Sequence, residues 1–223
     1  MNELSFTEAL GIAPGITAII GGGGKTALMN RLAAELSSAG SNVIICTSTH
    51  IWRPMDVPVL ENACEEDISA ALAGQRVVCV GEREGEKLTA PRLPIGRLAG
   101  LAPYVIAEAD GSKGLPLKAH GENEPAIPEG ARVICVIGAD GIGRPIIEAA
   151  HRPELYARRL GKDASHIVTP EDAAAMAGNG DAALFNKAES HRDVENGRAF
   201  AKAFGGRTVI ASLKQGRVIE VIG

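Results

Sequence analysis

Six consecutive residues, Gly21-Gly22-Gly23-Gly24-Lys25-Thr26, carry the chemistry most plainly written in this chain. Glycines let a backbone approach an anion closely and turn its N–H groups inward. A helix starting directly behind them adds unpaired N–H groups and the positive end of its dipole. Lys25 could then reach terminal phosphates, and the Thr26 hydroxyl could ligate magnesium. The phosphate cradle is therefore read as Gly21, Gly22, Gly23, Gly24, Lys25, Thr26 and Ala27. The strict spacing G-x-x-x-x-G-K-[ST] asks for glycine where Ile19 stands, so a tighter loop is expected. A mere glycine-rich turn bearing a surface lysine is the plainer alternative, but four glycines are entropically costly there.

Other polar clusters follow apolar runs. Glu108 and Asp110 end the run Tyr104–Ala107, two residues apart and so on one side of a strand. Asp110 is the expected magnesium-side acid, because a hard cation beside phosphate takes carboxylate oxygens. Glu108 is expected as a second ligand or as the group that orients water. Lys113 and Lys118, in the loop behind, could neutralise an anionic substrate or transition state. His50, His120 and His151 lack metal-ligand spacing, and His50 is the one expected to face a cleft. Asp140 is a weaker candidate. Asn186-Lys187-Ala188-Glu189 looks like the Asn-Lys-x-Asp element with which GTP-binding proteins hold the base, with Glu189 in the aspartate's place. A strand running into a charged turn is the alternative there.

These clusters need a frame. Apolar, β-branched runs at 16–20, 42–47, 76–81, 104–110, 132–137 and 182–187 read as strands. Helical patterns run from the phosphate loop to about residue 39, then over 65–73, 153–160 and 193–204, with another starting at Thr169-Pro170-Glu171-Asp172. A short leading helix is expected within 1–15, and 82–87 is a solvated loop or hairpin. Residues 112–131 hold three prolines and three glycines and read as a long functional loop. Buried strands alternating with helices predict an α/β fold, a mostly parallel sheet covered on both faces. Its last strands, 208–211 and 217–222, are near enough to pair as an edge hairpin. In such a sheet ligands bind beyond the carboxyl ends of the strands, so every cluster named above would share one rim.

At 223 residues and 45% hydrophobic content, one domain over 1–223 is expected, with an aliphatic core since aromatics are only 3%. A formal charge of −4 argues against a broad nucleic-acid or membrane surface. No signal peptide or bilayer-length apolar run is read. Cys46, Cys64, Cys79 and Cys135 form no C-x-x-C pair and read as reduced thiols, consistent with a cytoplasmic protein.

The segments GGGGKT, TSTHIWRP, EADGSKGLPLKAHGENEPAIP, VIGADGIGRP, HRPE, VTPEDAA and LFNKAE, in that order, resemble the selenium-dependent molybdenum hydroxylase accessory proteins of the YqeC type. The likeness runs from about Gly15 to about Ser212, and the segment at 108–128 is its most specific part. It implies a P-loop NTPase-like three-layer sandwich that binds ATP or GTP with magnesium. It also implies a role in maturing a molybdenum hydroxylase, with molybdenum cofactor or the client enzyme as partner; a homodimer is compatible with it. By the resemblance, Gly24, Lys25 and Thr26 bind nucleotide, Glu108 and Asp110 form the acidic motif, and Lys113 and Lys118 belong to the loop after it. Two alternatives stay open. One is a small-molecule kinase or nucleotidyltransferase, with an acceptor held by the loop at 112–128. The other is a carrier that holds a pterin dinucleotide without hydrolysis.

Overall fold

The Val- and Ile-rich runs become the centre of one sheet. A computed structural model describes residues 4–178 and 180–223 of the chain. Its nine-stranded sheet has the order Arg217–Ile222, Arg207–Ser212, Ala182–Asn186, Arg132–Gly138, Gly15–Gly21, Tyr104–Glu108, Val43–Thr47, Val77–Val80, Val59–Leu60. All neighbours are parallel except the terminal hairpin, Arg207–Ser212 against Arg217–Ile222, which carries a register shift between Ile210 and Ala211. Gly15–Gly21 lies near the middle, flanked by Arg132–Gly138 and Tyr104–Glu108, so its carboxyl end opens at the centre of the rim.

Alternation along the strands assigns residues to two apolar layers. Ile19, Ile45, Ile106, Val136 and Leu184 meet the helices Phe6–Leu10 and Lys25–Ser38 on one face. Ile20, Cys135, Ile137, Phe185 and Ile210 turn to the other, against Pro153–Leu160, Pro170–Ala177 and His191–Phe204. On that same face Ile44, Val78 and Val105 pack on Glu65–Gly74 and Ile95–Leu98. The result is a three-layer α/β sandwich. Caps fix where its helices begin: Thr169 and Ser190 each close a capping box, with Asp172 and Asp193 reaching back.

Several elements differ from the sequence expectation. The leading helix is only Phe6–Leu10, because Gly11 takes the left-handed conformation that ends it; residues 1–3 lie outside the described part. Residues 82–87 do form a hairpin, Glu82–Glu84 with Lys87–Thr89. A strand within the polar and proline-rich stretch after Thr47, His50–Trp52, pairs with that hairpin and makes a three-stranded lobe beside the rim. The loop at 112–131 is pinned by a parallel pairing of Leu117–Lys118 with Ala150–His151. Among the described residues, no helix is long and apolar enough to cross a membrane.

Candidate functional site

Three glycines separate the first strand from its helix, since Gly21 is still strand and Lys25 is already helix. A loop this short forces unusual backbone and close approaches. Gly24 has φ 134°, and a Cβ on it would lie 2.5 Å from Asn186 Nδ2. A Cβ on Gly22 would lie 2.5 Å from the Leu115 carbonyl oxygen. Glycine is therefore dictated by the surroundings and not only by flexibility. The N–H groups of Gly21 and Gly22 are taken up, donating to Asp110 Oδ2 at 2.8 Å and to Val136 O at 2.9 Å. Gly23 N–H donates to Leu115 O at 3.1 Å. The donors left to meet an anion are those of the first helical turn, Gly24 to Ala27, and all four residues line the cleft. The sequence reading spread the cradle over Gly21 to Ala27; the bonds of Gly21, Gly22 and Gly23 narrow its donors to Gly24–Ala27.

Lys25 is buried at the foot of this turn. Its Nζ donates to Gly21 O at 2.9 Å and to Ser112 Oγ at 3.1 Å, and lies 3.2 Å from Asp110 Oδ1 and 3.7 Å from Glu108 Oε1. Thr26 Oγ1 donates to Glu108 Oε2 at 2.7 Å. The carboxylate beside Thr26 is thus Glu108. Asp110, fully buried, faces the other way: besides Gly21 N–H and Lys25, it meets His120 Nε2 at 2.6 Å and Lys118 Nζ at 3.6 Å. Lys118 also meets Glu124 Oε2 at 2.8 Å and donates to Gly111 O at 2.6 Å, and Arg152 meets the other Glu124 oxygen at 3.2 Å. Lys118 therefore braces the loop from behind, while Lys113, exposed and in a left-handed conformation at φ 50°, lines the cleft.

The two carboxylates are pushed apart electrostatically. Burial raises the Glu108 pKa above the ordinary range, with the Asp110 charge adding to it and Lys25 and the Thr26 hydroxyl opposing. Burial would raise Asp110 as well. There the His120 hydrogen bond, the Lys25 and Lys118 charges and the Gly21 N–H more than reverse it, and the group is held low. His151 also lines the cleft and is shifted down, chiefly by burial and then by Lys118, Arg152 and Lys113. The sequence reading singled out His50; the structure adds His151 to the cleft and puts His120 behind it.

Asn186 ties the far side of the loop down. Its Nδ2 donates to Gly23 O at 2.8 Å, and its Oδ1 accepts from Leu213 N–H at 3.0 Å. Lys187, with φ 65°, donates to Asp140 Oδ2 at 2.7 Å. Glu189 Oε1 accepts from the Ser212 hydroxyl at 3.1 Å. Ser112, Ser212 and Leu213 are site neighbours that sequence spacing did not single out. The cleft lined by Gly24 to Ala27, Glu108, Ser112, Lys113 and Lys187 encloses about 860 Å3, and neither Asn186 nor Glu189 is part of its lining.

Among the described residues, no group of three or more His, Cys, Asp or Glu side chains could hold a metal by itself. One hydroxyl and one carboxylate, Thr26 and Glu108, still suit magnesium, which keeps its waters and takes few protein ligands when phosphates supply the rest. The donor set fits that ion.

Fold and loop together define a P-loop NTPase-like α/β sandwich. Residues 17–154 match the family described as YqeC protein, which places the chain in the YqeC family. The chain is also similar to a protein of Escherichia coli (strain K12) named "Uncharacterized protein YqeC". The two are 28% identical over 200 residues, covering 81% of this chain and 74% of that protein.

Proposed function

We propose that this chain binds ATP or GTP with magnesium and uses it as an accessory in the maturation of a selenium-dependent molybdenum hydroxylase. The observation that carries the nucleotide reading is the convergence of the Gly24–Ala27 turn, Lys25 and the Thr26–Glu108 pair on one cleft. The first-turn N–H groups and Lys25 take the phosphates. Thr26 and Glu108 hold the magnesium, which supplies charge neutralisation on the terminal phosphates. Asp110 keeps Gly21 and Lys25 in place from behind. Asn186 holds the loop to the strand end that also bears Lys187 and Glu189; by their likeness to the Asn-Lys-x-Asp element those two take the base, with the Glu189 carboxylate as acceptor for ring N–H groups. The first alternative, phosphoryl or nucleotidyl transfer to a small acceptor, uses the same groups and predicts turnover only when the acceptor is present.

The pathway part rests on the family resemblance and is tested in cells. A strain lacking this chain is expected to lose selenium-dependent molybdenum hydroxylase activity, with wild type restoring it and Lys25→Ala not. Full restoration by Lys25→Ala would separate the role from the nucleotide site. Unchanged activity in the deletion strain would remove the role itself.

A further inference from the structure

The cleft is wider than the phosphate loop needs. At about 860 Å3 it lies toward the upper end of the range of roughly 300–1,000 Å3 common for small-molecule sites. Its second wall is the three-stranded lobe, and pairing fixes which side chains that wall presents. Trp52 lies opposite Lys87, and Lys87 lies opposite Glu84 on the next strand. Directly paired residues share a face, as do residues two apart, so His50, Trp52, Lys87 and Glu84 form one surface. All four line the cleft. Ile51 and Leu88, one residue out of phase, are buried on the opposite face and hold the lobe in place.

That surface has the composition of a ligand site. Trp52 is the chain's single tryptophan and is 64% exposed, whereas Phe6, Tyr156, Phe185 and Phe200 are buried and Tyr104 and Phe204 half-buried. Lys87 Nζ stands 4.9 Å from the centre of its ring. His50 Nε2 and Glu84 Oε2 are 2.7 Å apart and bring ring-nitrogen and carboxylate atoms to the same face. Strand order sets this wall off from Asn186 and Glu189. Relative to the central Gly15–Gly21 strand, Ala182–Asn186 lies two places to one side, whereas Val43–Thr47, which leads into the lobe, lies two places to the other.

We infer that the lobe face His50–Trp52–Lys87–Glu84 is a second binding site, for a planar nitrogen heterocycle carrying an anionic group such as a phosphate. The ring stacks on Trp52, its edge N–H groups meet Glu84, and its anion is drawn toward Lys87 and Lys113. The site rests on the nucleotide reading for its neighbour: with the nucleotide base near Glu189, the second ligand faces the terminal phosphate across the cleft. This assigns the protein two small-molecule ligands at once, as a transfer reaction or a nucleotide-gated carrier requires.

Guanosine monophosphate is a suitable probe, being planar, anionic and rich in edge N–H groups. With the protein saturated by an imido analogue of ATP or GTP, this probe is expected to quench Trp52 fluorescence saturably, and ribose 5-phosphate is not. In equilibrium dialysis, Trp52→Ala should weaken guanosine monophosphate binding about tenfold, a usual scale for losing one base–aromatic stack, with affinity for the imido analogue unchanged. Displacement of the probe by the imido analogue, or no saturable binding of it, would overturn the inference. So would an equal loss of imido-analogue affinity in Trp52→Ala, which would make Trp52 part of the nucleotide's own base site. Trp52-dependent probe binding without any imido-analogue binding would support the second site while removing the phosphate-loop reading.

Discussion

Asp110→Ala is expected to lower the free energy of unfolding by about 3–5 kcal/mol, the usual cost of removing one partner from a buried ion pair. Asp110 is fully enclosed and meets four groups: Gly21 N–H, the Lys25 ammonium, His120 and Lys118. Its removal leaves Lys25 with Glu108 as its remaining carboxylate and leaves Lys118 leaning on Glu124. It also orphans the Gly21 N–H, which by itself costs about 1–3 kcal/mol. Asp110→Asn keeps an acceptor for that N–H and should cost less than alanine. Urea unfolding followed by circular dichroism measures both. A loss below roughly 1 kcal/mol for the alanine variant would mean the network is not the brace described here.

Lys25→Ala should weaken nucleotide binding by roughly 30- to several-thousand-fold, about 2–5 kcal/mol, the range for truncating one partner of a buried charged contact. Lys25 is the one lysine of the loop held inside the site, oriented by Gly21 O and Ser112 Oγ toward the helix start. Without it, Glu108 loses its cation, and incoming phosphates meet that carboxylate with no ammonium beside it. Calorimetric titration checks the affinity, and an unaltered circular dichroism spectrum shows that the fold is kept. Wild-type affinity in this variant would remove Lys25 from the phosphate site.

Much of the frame was legible because it depends on local pattern. Ile16–Ile20 followed by glycines and a helix shows in any window of the sequence, and so does the capping box at Thr169, whereas the helix expected from 193 begins at His191 behind the Ser190 cap. The terminal hairpin follows from its short turn. The site's inner wiring was not legible, because it depends on pairings distant in the chain. Glu108 is the last residue of its strand, in register with Ile19 and Thr47, and this puts it beside Thr26. Asp110, two residues on, has passed the sheet edge into the enclosure made by Gly21, Lys118 and His120. Lys113 and Lys118 are chemically identical, and only the Leu117–Lys118 pairing with Ala150–His151 buries one and leaves the other in the cleft. Trp52 sat in a three-residue strand bounded by polar residues and proline, too short for alternation to declare itself.

Calorimetric titration of the wild-type protein with ATP and GTP, with and without magnesium, beside Glu108→Gln, tests the nucleotide site most directly. Saturable binding of one nucleotide is expected, strengthened by magnesium in the wild type and insensitive to magnesium in Glu108→Gln. Absence of binding by either nucleotide, with or without the metal, would contradict it.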